Sequence, residues 1–401
     1  MSQTTSRSQR IESIDIVRGI AMVIMAIDHV RDYVHITSNT DDPLNLATTT
    51  PGLFFTRWIT HYCAPIFVFL SGTSIYLQSR RKTTNELSSF LIKRGCWLIF
   101  AEWTMVAFAW TFNPFFNVIP FQVIWAIGSS MVVLGLLIKI KIPYKALLVL
   151  GLVIVLGHNL LDFPERAANF KAGFWWNLLH HGAFVFYEYA PNHFAILVYA
   201  FPVWTGLMIL GYCAGIFFTP KYSSNQRITI LKQMGIVLLM FFVVLRFINL
   251  YGDPVGWTKQ STGFNTFLSF INVNKYPPSL LYMSITIGVA MLLLAYFEKI
   301  NNQFTKIMVV FGRTAFFYYL LHLYLIHLIQ TILFFAKGHS MDDAVKLGKN
   351  MPFLFVVPGE GYGLPVVYLI WLLVLLILYP FCKKYDQYKT AHKEKWWLSY
   401  L

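Results

Sequence analysis

A polytopic bundle of transmembrane α-helices is the fold class this chain predicts, and three observations predict it. Hydrophobic residues make up 57% of the 401 positions and charged ones only 12%, too little polar surface for a water-soluble globule. Many apolar runs reach the ~20 residues that span a hydrocarbon core as helix. Basic residues gather in alternate connections, the asymmetry that orients membrane proteins. The chain reads as all-α, a single integral-membrane domain over 1–401, with polar tails at 1–13 and 383–401.

About ten spans follow, near 14–35, 53–78, 90–112, 118–138, 143–161, 194–218, 228–250, 278–297, 308–334 and 363–382. The first run follows a short polar tail and lacks a small-residue cleavage site, so it reads as a span and not as a removable signal. No linker, low-complexity stretch or clear internal repeat divides the chain. Cys63, Cys96, Cys213 and Cys382 lie in apolar runs or at their ends, without disulfide or metal-ligand spacing, and no metal is expected.

Orientation follows from lysine and arginine. Twenty of the 32 basic residues fall on one side, among them Arg7, Arg10, Arg80, Arg81, Arg94, Arg227 and the tail from Lys383 to Lys395. That side, with both termini, is expected in the cytoplasm. The net charge of +14 is therefore a topology signal with a secondary attraction to anionic lipid, and no nucleic-acid partner is expected. The partner expected first is the bilayer; a homo-oligomer is left open. A bacterial source would place the protein in the inner membrane.

The first span, RIESIDIVRGIAMVIMAIDHVRDYVH, carries unusual charge. Ionisable groups inside a membrane are costly and default to function. At helical spacing Arg18, Met22, Met25, His29 and Asp32 form one stripe. Arg18 and His29 lie about 16 Å apart along it at ~1.5 Å per residue. An imidazole in the outer half can take a proton from an amine or hydroxyl. Asp28 stands beside it. Arg57 and His61 sit one turn apart in the outer half of the second span. His322 lies mid-membrane in the ninth span, close to Tyr318, with His327 further out. Gln122 and Trp125 open the fourth span at the outer side. Glu102, deep in the third, is expected to pair with a cation. Aromatic outer loops, with Trp175, Trp176, Tyr187 and Trp257, suit an interfacial belt or stacking on a sugar. No phosphate-cradling glycine loop, zinc spacing or serine elbow is present.

The opening stretch resembles the catalytic-domain family of heparan-α-glucosaminide N-acetyltransferase. So do FFTRWITHYCAPIFVFLSGTSIYL, KYPPSLLY and GRTAFFYYLLHLYLIHL. Arginine and histidine with ten residues between them on the first helix also resemble the wider membrane acyltransferase-3 type. The resemblance implies transfer of an acetyl or short acyl group from cytoplasmic acyl-coenzyme A to an amino or hydroxyl group of an extracytoplasmic glycan or amino sugar. It implies a coenzyme arm threading between helices past Arg18 towards His29. His29 would be the base, oriented by Asp28 or Asp32, with His61 a second catalytic candidate. Arg57, Gln122, Trp125, Tyr318 and His322 would line the acceptor site with Asp32. The lysosomal branch departs from this pattern: it has no histidine at the His29 position, and its catalytic histidine lies in the outer loop or at the start of the second span, near which His35 and His61 are the histidines of this chain. A proton-coupled transporter or exporter of a small polar solute is the rival reading, since the same polar stripe suits a proton relay.

Overall fold

The computed structural model describes residues 11–182, 184–348 and 353–400. The start of the amino-terminal tail, with Arg7 and Arg10, lies outside them. Eleven helices organise the chain. They are α1 (Glu12–Val34), α2 (Pro51–Ser79), α3 (Thr84–Ala101, continued by a π turn over Glu102–Val106 and by Ala107–Thr111) and α4 (Val123–Lys139). Then come α5 (Tyr144–Glu165), α6 (Phe201–Phe218), α7 (Ser224–Ile248), α8 (Leu280–Phe297), α9 (Gln303–Arg313), α10 (Ala315–Ala336) and α11 (Leu364–Ala391). Seven of these, α2, α5, α6, α7, α8, α10 and α11, are long and apolar enough to cross a membrane. Helices α1, α3 and α4 stand where three further spans are expected. The first of them is interrupted by Asp15, Arg18, Asp28, Arg31 and Asp32, and α4 is an apolar helix of 17 residues.

The fold is mostly helical but not all-α. Val118–Phe121 (β1), Val185–Ala190 (β2) and His193–Leu197 (β3) form a sheet in the order β1-β3-β2, with β1 parallel and β2 antiparallel to β3. The segments beginning at 118 and 194, expected as span starts, are therefore strands. Their Val, Ile and Phe favour extended backbone, and Pro120 lacks the donor a helix needs. The ninth expected span is also two helices, because Thr314 leaves helical geometry at φ −110°, ψ 26°.

Local chemistry sets the helix ends. Thr83 and Ser223 make capping boxes with Glu86 and Gln226, and Ser279 caps the first turn of α8. Helix α2 bends at His61–Tyr62. Pro65 has no N–H to give the His61 carbonyl, and the Tyr282 hydroxyl takes that oxygen instead at 2.7 Å.

Helix α1 is the axis of the bundle. It packs on α2, α8, α9, α10 and α11, and Ile16, Val17, Ala26 and Val30 are fully buried. Its contact with α9 is backbone to backbone. A Cβ on Gly312 would sit 1.9 Å from the Asp15 carbonyl oxygen, and one on Gly19 1.9 Å from that of Met308. Small residues at such a crossing let membrane helices approach closely. Gly312→Ala should therefore lower the apparent melting temperature in detergent by several degrees, a loss of ~1–3 kcal/mol from overpacking. Gly263→Ala, which has open space around it, should leave the temperature within a degree or so of the parent.

Candidate functional site

Two histidines meet across the α1–α10 contact. His29 Nδ1 lies 2.6 Å from His322 Nε2, with the rings stacked at 4.9 Å. His322 is fully buried and His29 half-buried. The tautomers follow from the end of the chain of bonds. A carbonyl only accepts, so His322 Nδ1 carries the proton of its 3.0 Å bond to the Tyr318 carbonyl oxygen. Nε2 of the neutral ring is then the acceptor, and His29 Nδ1–H donates to it. The lone pair of His29 Nε2 is left for another partner. Trp110 and Tyr319 hold the His29 ring edge-on, at centroid distances of 4.9 and 6.2 Å.

The carboxylates of α1 serve arginines, not this imidazole. Asp28 is ion-paired with Arg57 of α2, and with Arg31 Nη2 at 2.9 Å. Asp32 takes Arg31 Nη2 at 2.6 Å. The support expected for His29 from Asp28 or Asp32 is thus given by His322. Guanidinium is the stronger partner for a carboxylate, since charge assists each bond. His61, 2% exposed, stands at the bend of α2 with its ring edge-on to Tyr282 at 5.6 Å. Among the described residues its Nδ1 has no hydrogen-bond partner.

Other expected residues are arranged differently. Glu102 pairs with no cation: its Oε2 accepts from the Trp125 N–H at 3.2 Å and also from that of Ile124. A helix N-terminus offers free donors and partial positive charge, so Glu102 caps α4. Its Oε1 is left without a bond. Gln122 precedes α4 in extended backbone. The Trp125 ring packs between Phe121 and Phe201, at 5.1 and 5.4 Å, away from the histidine pair. Tyr318 stacks on His322 at 5.1 Å, and among the described residues its hydroxyl makes no hydrogen bond. Tyr319, not Tyr318, faces His29. His327 is held between the Ala109 and Leu354 carbonyls at 3.0 and 2.9 Å.

Two cavities lie along α1, both lined in part by basic residues. The outer one, about 1080 Å3, is lined by Arg18, Arg80, Arg81, Arg227 and Lys393, among others. The inner one, about 410 Å3, is lined by Arg18, Arg94, Arg313 and Lys389 at its polar end, then by Met22, Met25, Ile124 and Tyr319. Arg18, Ser74 and Gln78 line both. The predicted Arg18–Met22–Met25 stripe thus lines the inner cavity together with Tyr319, whose ring centroid lies 6.2 Å from that of His29. Arg18 is held there by Asp15 at 3.3 Å and by the Ser74 hydroxyl at 2.8 Å. Sequence spacing did not find Arg94, Arg313 or Lys389, which come from α3, α9 and α11. Nor did it choose Tyr319 over Tyr318, since residues three and four before His322 share its helix face.

An apolar bundle with basic cavities beside a histidine pair belongs to the integral membrane proteins. Residues 10–247 match the family model for heparan-alpha-glucosaminide N-acetyltransferase, catalytic, and the chain belongs to that family of acetyltransferases, as its opening stretch led us to expect. No curated protein matches the chain. The matched region includes Arg18, His29, Arg57 and His61; Tyr319 and His322 lie beyond it.

The Asp28–Arg57 pair gives a stability test. Breaking a buried pair strands one charge, at a cost of about 3–5 kcal/mol. Arg57→Gln and Asp28→Asn should each lower thermal stability in detergent clearly. The double variant should lose less than the sum, and additive losses would mean that the two side chains do not couple.

Proposed function

We propose that the protein transfers an acetyl or other short acyl group from acyl-coenzyme A to an amino or hydroxyl group of a glycan or amino sugar on the opposite side of the membrane. One observation carries the reading: a cavity lined by arginine and lysine shares Arg18, Ser74 and Gln78 with a methionine-lined cavity that includes Tyr319, the ring neighbour of a histidine with a free lone pair. Arg80, Arg81, Arg94 and Lys393 supply the cationic surroundings a nucleotide diphosphate requires. Met22 and Met25 offer a flexible apolar wall to a thin acyl-bearing arm. The basic face would be cytoplasmic and both termini with it; in a bacterium the membrane would be the inner one.

In this reading His29 Nε2 takes the proton of the attacking amine or hydroxyl. Positive charge that forms on the ring is shared with His322 through the 2.6 Å bond and ends on the Tyr318 carbonyl dipole. His29 then returns the proton to the departing thiolate. Asp28 and Asp32, paired with Arg31 and Arg57, hold α1 and α2 in register beside it and balance one another's charge.

The test is free thiol release by purified protein given acetyl-coenzyme A and a panel of amino sugars and oligosaccharides. The parent should release thiol only with acceptor. His29→Ala should lose at least a hundredfold, within the range for a general base. His322→Ala should lose less, and Arg94→Gln should raise KM for acetyl-coenzyme A more than it lowers kcat. Loss only in His61→Ala would move the base to α2. Absence of both thiol release and coenzyme binding in the parent would favour the transporter reading.

A further inference from the structure

Two walls of the inner cavity run in step. On α1 the sequence places Arg18, Met22, Met25 and then His29; across from it stand Arg313, Phe316, Tyr319 and then His322. At one end Asp15 ties the walls together, 3.3 Å from Arg18 and 3.6 Å from Arg313. At the other end His29 and His322 meet at 2.6 Å. The arginines, the methionines, Phe316 and Tyr319 line the cavity, and the two histidines do not. The last lining residue before each histidine is therefore Met25 on α1 and Tyr319 on α10. Tyr319 is also the one lining residue, among those described, whose ring contacts both histidines, at 6.2 Å from His29 and 5.6 Å from His322.

These two last residues resist a ligand differently. A methionine side chain is unbranched and yields to the shape pressed on it. A tyrosine has only two side-chain torsions and a rigid ring. This ring is buried. It lies parallel to the Phe316 ring, at 6.5 Å and 11°. It stands edge-on to His29 at 76° and to His322 at 61°. Moving it would break three ring contacts at once, and a packed interior does not accept extra methylenes without strain. The cavity thus has compliant sides and a firm end.

Building on the acyltransferase reading, we infer that Tyr319 is the residue that sets acyl length: its ring is a fixed stop at the histidine end of the donor cavity, which accepts acetyl and turns away chains of four carbons or more. A coenzyme whose phosphates meet the arginines enters acyl end first, so the acyl group is what reaches the stop. A longer chain must displace the ring or halt with its thioester short of His29. Either way the carbon under attack is held out of reach of the acceptor, and small misplacements of reacting atoms are costly. The bonds exchanged are those of the proposed reaction. A C–N or C–O bond forms, the C–S bond breaks, and the acceptor proton passes through His29 to the thiolate. Tyr319 takes no part in the proton's path.

The experiment measures kcat/KM in the thiol-release assay with acetyl-, propionyl- and butyryl-coenzyme A and one amino sugar. The parent should prefer acetyl to butyryl by about tenfold or more, the scale of a methylene in a fitted apolar pocket. Tyr319→Ala should abolish most of that preference and raise kcat/KM for butyryl above the parent's, a gain that poor folding does not produce. Tyr319→Leu serves if Tyr319→Ala folds poorly. Tyr319→Phe should keep the parent's preference, because the ring and not the hydroxyl is the stop. Met25→Ala, which enlarges a compliant wall, should relax the preference much less than Tyr319→Ala. An unchanged preference in both Tyr319→Ala and Tyr319→Leu would overturn the inference; with activity lost evenly across the donors, Tyr319 would be a positioning residue for His29. Equal relaxation in Met25→Ala, or a parent indifferent to acyl length, would overturn it too. A parent that releases no thiol from any of the three donors would overturn the acyltransferase reading itself, an outcome distinct from failure of the stop.

Discussion

The Asp28–Arg57 ion pair is the interaction on which the site depends. It ties the middle of the bundle's axial helix to the bent second helix, and it lets a polar centre persist in an apolar interior. Arg31 adds a second cation to Asp28 and shares itself with Asp32. Ionic groups in such a place are tolerated when they satisfy one another. Once they do, the histidines beside them need not be ion-pair partners and can remain neutral. This division of labour separates the residues that hold α1 from the residues that handle protons on it.

The same separation runs through the rest of the molecule. Backbone contact at Gly19 and Gly312 sets how closely α9 lies on α1, and hence where α10 begins and where His322 points. The proline-induced gap in α2 hands the His61 carbonyl to Tyr282, which locks α2 to α8. Glu102 caps α4 from within the π turn of α3. Each device places a helix end or a bend near the polar centre without contributing a reactive atom.

Much of this was legible in the sequence. Hydropathy placed a helix at each expected span, because an apolar environment leaves the backbone few other ways to satisfy its hydrogen bonds. The α1 stripe was legible too, since 3.6-residue periodicity puts Arg18, Met22, Met25 and His29 on one face without reference to any other helix. The sheet was missed because β1 and β3 are short, apolar and directly upstream of helices, so a hydropathy window merges them with the span. Partner choice was missed for a different reason. Whether Asp28 meets His29 or Arg57, and whether Glu102 meets a cation or a helix end, depends on which helices become neighbours.

From His29 through His322 the hydrogen-bonded chain runs to the Tyr318 carbonyl. The relay stops at a main-chain carbonyl, which can neither pass a proton on nor release one. Whatever His29 collects must leave by the door through which it came. In the proposed reaction each turnover would thereby be closed with respect to protons: what the acceptor gave up, the leaving thiol would take back. A membrane enzyme built this way would neither draw on nor dissipate the pH difference across its bilayer, however far the acyl group itself travels.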